Sequence, residues 1–216
     1  MTELDFEYMR NAMVSNQLRT NAVTDPHVLA AATAVARENH VAPEQKATAY
    51  IDRAIPLGNG RALNPPLATT RLLSEAHPVP GERVLVVGAA SGYAAALLAH
   101  AGLEVTALEQ DAALLAQARA AVAAPNVRFV EGPLEAGWAA DAPYDLVLID
   151  GAVEEIPHGI IDQVADGGRI AAAIVDRGVT RLAIGRKAGR GFGLTLYVDA
   201  EAVALPGFAR PRTFAF

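Results

Sequence analysis

The chain has 216 residues, 52% of them hydrophobic, and its 18 lysines and arginines against 24 aspartates and glutamates give a formal net charge of −6. That length and apolar content suffice for one sizeable core with a small appended element, and the acidic balance argues against non-specific nucleic-acid binding. Without a cysteine there is no disulfide framework, thiol nucleophile or cysteine metal site, a composition compatible with a reducing compartment.

The amino-terminal MTELDFEYMR is acidic and lacks a basic stretch followed by an apolar block, so no secretory signal is read and a cytoplasmic location is expected. Phe6, Met9, Met13, Gln17 and Leu18 recur at helical spacing. Thr24-Asp25-Pro26 reads as the cap and first turn of a second helix running through Val35. Ile55 to Pro66 (IPLGNGRALNPP) is too rich in glycine, proline and asparagine for a regular element and is expected to be a loop, followed by a helix over Leu67 to Glu75.

Beyond Pro80-Gly81 apolar strands alternate with helices. Strands are expected at Val84–Val87, Val105–Leu108, Val127–Val130, Tyr144–Ile149 and Arg169–Val175, with helices after Ser91, over Ala112–Val122 and near Ile156–Val164. This alternation predicts an α/β fold around a mostly parallel sheet. Leu182–Arg186, Phe192–Val198 and Thr213–Phe216 read as antiparallel strands at its edge. Residues 1–80 therefore form a helical extension and 81–216 the α/β core of one compact unit. Val84 to Leu103 carries no charge, but Gly88, Ser91 and Gly92 interrupt it where a strand pattern gives way to a helical one, so no membrane span is read.

Three features bear on ligand chemistry. The turn Gly88-Ala89-Ala90-Ser91-Gly92 follows a buried strand and opens a helix, so its backbone N–H groups can face a nucleotide-like ligand. Glu109 ends the second strand about twenty residues on, where a carboxylate accepts ribose hydroxyls; an exposed carboxylate in the next helix's first turn is the alternative. Asp150 lies at another strand tip facing the same crevice, or is a simple turn residue. The basic group Arg177, Arg181, Arg186, Lys187 and Arg190 reads as a solvated hairpin, with a patch that contacts an anion as the alternative. His27, His40, His77, His100 and His158 are scattered and read as surface or turn residues. No P-loop, zinc signature or nucleophile elbow occurs.

The segments MRNAMVSNQLRTNAVTDPHVLAAATAV, AYIDRAIPLGNGRALNPP, VLVVGAASGY, APYDLVLIDGAVEEIP and DGGRI, in that order, resemble protein-L-isoaspartate O-methyltransferases over almost the whole chain. The resemblance implies a class I methyltransferase with a Rossmann-like, seven-stranded sheet. It also implies S-adenosylmethionine as methyl donor with no metal, and an isoaspartyl peptide or protein as acceptor. Cofactor contacts are implied for Gly88, Ala89, Ala90, Ser91, Gly92, Tyr93, Glu109, Gln110, Gly132, Pro133 and Asp150. Asn64 is implied to orient the acceptor carboxylate, with Arg61, Leu63, Pro65 and Pro66 shaping its site; capping of the helix after Pro65-Pro66 is the other reading of Asn64.

The chain departs from the family pattern at several of these places. Ala62 and Asn64 replace a threonine and a serine in the acceptor loop, Val86 a glutamate, Ala90 the middle glycine of the cofactor loop, Pro133 an aspartate, and Asp150 a threonine. If Ala90 keeps a positive φ, the strain is of order 1 kcal/mol. Two alternatives therefore accompany the enzyme reading: a degenerate methyltransferase fold kept as a binding or regulatory module, and a methyltransferase with a different acceptor.

Overall fold

A computed structural model describes residues 5–210; the strand expected at residues 213–216 lies outside them. The first helix, α1 (Phe6–Met13), continues through a π turn at Val14–Leu18. The second, α2 (Pro26–Ala34), starts where the sequence places it, with the Asp25 carboxylate accepting the amides of His27 and Val28 at 2.9 and 3.1 Å. Short 3-10 segments at Arg37–His40 and Pro43–Thr48 lead onward.

The expected loop at 55–66 is instead a small hairpin, β1 (Ile55–Gly58) paired antiparallel with β2 (Arg61–Leu63). Its tip is Asn59-Gly60, with φ of 51° and 72°. Asn-Gly accepts two successive positive φ values at little cost, so the composition that argued for a loop encodes a tight reversal. The helix α3 (Pro66–Ala76) follows at once.

The core strands are β3 (Arg83–Val87), β4 (Glu104–Glu109), β5 (Val127–Glu131), β6 (Tyr144–Val153), β7 (Val164–Asp176), β8 (Val179–Ala188) and β9 (Gly191–Asp199). Helices α4 (Tyr93–His100), α5 (Ala112–Ala121) and α6 (His158–Asp162) lie between them. The sheet order is β5-β4-β3-β6-β7-β8-β9, parallel through β7 and antiparallel at β8 and β9. This is the expected parallel core with an antiparallel edge. Alternate residues face opposite sides: Val84, Val86, Leu146 and Leu148 join one cluster with Val28, Leu72 and Leu98 of the helices, while Leu85, Val87, Val147 and Ile149 join another with Ile160, Leu205 and Phe208.

From β3 the chain winds outward through β4 and β5, then returns to the other side of β3 with β6. The crevice beyond the carboxyl ends of β3 and β6 is therefore the topological switch point, where ligands of open α/β sheets bind. No helix among the described residues is long and apolar enough to cross a membrane.

Candidate cofactor and acceptor site

The turn after β3 is held tightly. Gly88 and Ala89 donate their amides to the Leu108 carbonyl at 3.0 and 2.9 Å, and Gly92 donates to Ala89 at 2.8 Å. Ala90 gives its amide to Glu109 Oε2 at 2.8 Å. These four N–H groups, expected to face a ligand, are thus spent within the protein, because the turn is sewn to β4. The Ser91 hydroxyl donates to the His40 carbonyl at 2.7 Å, and His40 Nδ1 lies 2.8 Å from the Ser91 carbonyl. Ala90 has φ of 49°, the left-handed conformation that a glycine would hold without strain.

Glu109 is not an exposed first-turn carboxylate; it is completely buried. Its Oε1 accepts the amides of Gln110 and Asp111 at 2.9 and 3.1 Å and forms an ion pair with Arg61 Nη1. Arg61 is itself 5% exposed and its Nε has no partner. A carboxylate with this many donors has its hydrogen-bonding capacity filled.

Asp150 is not at a strand tip, because β6 runs on to Val153 with an irregular register against β7. The Thr69 hydroxyl donates to its Oδ1 at 2.9 Å. Asn64 Nδ2 donates to both the Asp150 carbonyl at 2.7 Å and Oδ1 at 3.0 Å, while Asn64 Oδ1 accepts the Val203 amide at 2.8 Å. Asn64 does not cap α3: the capping position is Pro65, with no side-chain bond. Burial pushes the Asp150 carboxyl up, against the opposing pull of Thr69 and Asn64. Leu63, Pro65 and Pro66 are likewise buried in this conformation.

Three participants escaped the sequence reading. Arg37 was unremarked, yet it is fully buried, donating from Nη2 to the Asn64 carbonyl at 2.6 Å and from Nε to the Ala49 carbonyl at 2.7 Å. It stacks over the Tyr93 ring at 4.7 Å from the centroid, and the Tyr93 hydroxyl has no partner. His40, read as a surface residue, is buried and ties the cofactor turn to the segment before β1; desolvation lowers its pKa. The other four histidines are exposed, as expected.

The third participant is the carboxyl-terminal segment. The Ala152 amide donates to the Val203 carbonyl at 2.7 Å, the Leu205 amide to the Ala152 carbonyl at 2.9 Å, and the Glu154 amide to the Phe208 carbonyl at 3.3 Å. Ala152 pairs with Ala173 of β7 on one side and bridges Ala204 in parallel on the other. Residues 203–205 thus continue the sheet where β3 has ended, lying across the crevice. A Cβ on Gly88 would come within 3.0 Å of the Leu205 side chain and 3.4 Å of Arg61 Nη2, and one on Gly151 within 2.5 Å of Leu205 Cγ.

What stays open is a cleft of about 360 Å³ lined by Asn59, Gly60, Arg61, Gln110, Asp111, Ala204, Leu205 and Pro206. Gly132 and Pro133 follow β5 at the neighbouring strand end, where the Gly132 amide donates to the Glu109 carbonyl at 3.2 Å. A larger cleft of about 730 Å³ borders the cofactor turn only at Ser91 and is lined otherwise by residues such as His40, Glu44, Pro56 and Gln117. Among the described residues no group of three or more histidine, cysteine or carboxylate side chains could hold a metal ion.

A doubly wound sheet, a glycine-containing turn at its switch point and a buried glutamate ending the adjacent strand define a class I methyltransferase fold. The family profile of protein-L-isoaspartate(D-aspartate) O-methyltransferase matches residues 8–194. A protein-L-isoaspartate O-methyltransferase of Methanoregula boonei is 37% identical over 178 residues, covering 81% of this chain and 82% of that one. One from Rhodopseudomonas palustris is 36% identical over 181 residues, covering 82% and 74%. A solved protein-L-isoaspartate O-methyltransferase superposes with a TM-score of 0.80 at 21% identity, covering 92% of this chain and 66% of that one. A Plasmodium falciparum structure of the same description, in complex with S-adenosyl-L-homocysteine, gives 0.78 at 16% identity, covering 94% and 99%. The chain belongs to the protein-L-isoaspartate O-methyltransferase family.

Proposed function

We propose that the protein methyl-esterifies isoaspartyl carboxylates in damaged proteins and peptides, taking the methyl group from S-adenosylmethionine in the cytoplasm. The observation that carries this reading is Glu109, a buried, fully hydrogen-bonded carboxylate at the switch-point crevice of a chain belonging to this family. In this reading ribose hydroxyls would take the place on Oε1 that Arg61 now holds, beside the open cleft lined by Arg61, Gln110 and Asp111.

In this reading Glu109 holds the ribose, and Gly88 to Tyr93, Gln110, Gly132, Pro133 and Asp150 surround the rest of the cofactor. Asn64 gives up a bond to Asp150 to turn an amide N–H toward the acceptor carboxylate, and Arg61, Leu63, Pro65 and Pro66 form the walls, with the amino-terminal helices behind them. The bound cofactor supplies an electrophilic methyl on a sulfonium, already a good leaving group. The acceptor carboxylate is ionised at neutral pH, so no strong general base is required. The residues need only hold one carboxylate oxygen in line with the methyl carbon and exclude water, which contributes on the order of 7 kcal/mol in well-oriented cases.

The test is incubation with methyl-labelled S-adenosylmethionine and a synthetic isoaspartyl peptide, with the aspartyl peptide as control. Label is expected in the isoaspartyl peptide alone; equal or absent incorporation would overturn the acceptor assignment. Calorimetric titration with S-adenosylhomocysteine checks the cofactor separately. Glu109→Ala is expected to weaken product binding by about fivefold or more, equivalent to about 1 kcal/mol for a lost hydrogen bond.

A further inference from the structure

The pairing of Arg61 with Glu109 has a consequence for the order of events, on the proposed reading of the acceptor and cofactor. Glu109 cannot hold ribose hydroxyls and the guanidinium on the same oxygen. When the carboxylate accepts the ribose, Arg61 loses its counter-ion while its side chain is only 4% exposed. A buried cation left unpaired is strongly disfavoured, so it requires another anion.

Two other carboxylates lie within its field, and each already has donors of its own. Asp150 is buried and already bonded by Asn64 and Thr69, and Asp111 caps α5 through the amides of Ala113 and Leu114 and takes the Asn59 amide at 2.8 Å. Arg37, the other buried cation, is committed to two carbonyls. Arg61 also has an Nε without a partner, so its fork has a donor in reserve.

We infer that Arg61 is a partner-exchanging positioning residue. It guards Glu109 until the cofactor binds, and once displaced by the ribose it draws in the isoaspartyl carboxylate, so cofactor and acceptor bind with positive coupling. The reaction then removes its partner. A carboxylate oxygen bonds to the methyl carbon, the sulfur–carbon bond breaks with its electron pair left on sulfur, and both the carboxylate and sulfonium charges disappear. With only a neutral ester beside it, Arg61 returns to Glu109 and favours release of S-adenosylhomocysteine.

Calorimetry with S-adenosylhomocysteine tests this on the unmodified protein. A saturating isoaspartyl peptide should tighten binding about fivefold, whereas its methyl ester should not, since coupling is a difference in free energy between the two liganded forms. In Arg61→Gln the product should bind about fivefold tighter without peptide, since the competitor for Glu109 is gone. That variant should show no further tightening by the acid, and its KM for the peptide should rise about tenfold with kcat little changed. Arg61→Lys, which keeps the charge and loses the fork, should fall between and stands in if the glutamine variant does not fold. Equal effects of acid and ester, or an Arg61→Gln protein that binds product no tighter than the wild type, would overturn the exchange. A peptide that is neither bound nor methylated sinks the acceptor assignment instead, and the product affinity of Arg61→Gln still decides whether the guanidinium guards Glu109.

Discussion

At Asp150 burial and hydrogen bonding pull in opposite directions. Desolvation lifts the carboxyl above its ordinary 3.8, although the Thr69 hydroxyl and Asn64 amide favour the charged form. A raised native value means that the folded chain keeps a proton the unfolded chain has released. The stabilisation from this group is therefore complete below 3.8 and is lost as pH rises through the native value. Asp150→Asn should remove that decline while still accepting from Thr69, and urea midpoints between about pH 4 and 8 should flatten. An unchanged slope would place the dependence elsewhere. Glu82 runs the other way: burial tends to raise it, but its bonds to Arg169 prevail and hold it below 4.5, so it favours the folded chain as pH rises.

Single residues were the least legible scale. Glu109 is marked by its distance from the turn after β3, and the structure puts it at the end of β4, next to that turn. Its partner was beyond reach, because nothing local to Gly60-Arg61-Ala62 records that a hairpin swings Arg61 across 48 positions of sequence to meet it. Arg37 and His40 are charged or polar residues in an unpatterned segment, where composition favours solvent and only tertiary packing says otherwise.

Among the elements, the alternation of apolar strands with helices made β3 to β9 readable, since each buried strand stops at a glycine or polar turn. The β1–β2 hairpin had its signal in Asn59-Gly60, the short-range mark of a two-residue reversal. The crossing segment at 203–208 had none: Val203, Ala204 and Leu205 form too short a run, and their pairing partner is an irregular strand end some fifty residues earlier. Gly151 is the point at which this element can be tested. A methyl there would meet Leu205 Cγ at 2.5 Å and the Val203 carbonyl at 2.7 Å, and a main-chain atom cannot swing aside. Gly151→Ala should loosen the segment, seen as faster proteolytic cutting after residue 200 with the remaining core intact. Cutting at the wild-type rate would mean that β6 shifts instead.

Across the whole molecule, the helical extension is fastened to the sheet by a few polar anchors as well as by the shared core. Arg169 of β7 reaches the Ala76 carbonyl at the end of α3, the His77 carbonyl at 2.9 Å, and both Glu82 oxygens at 2.8 and 2.7 Å ahead of β3. Arg169→Met leaves three carbonyls, those of Ala76, His77 and Asp145, and a carboxylate without this donor and should cost about 3 kcal/mol in equilibrium unfolding. A loss under about 0.5 kcal/mol would show that water replaces those bonds freely.

The segment that closes the crevice also leaves the ribosome after the strands it covers. Residues 203–208 complete the strand pairing above Gly88 only after β3, β4 and β6 have been made. A nascent chain therefore presents its switch point uncovered for a time, and a small molecule present in the cell can meet the newborn sheet before residues 203–208 do. The first occupant of the crevice is then set by a race between synthesis and diffusion, and slower translation between β6 and residue 203 would lengthen the interval in which the small molecule wins.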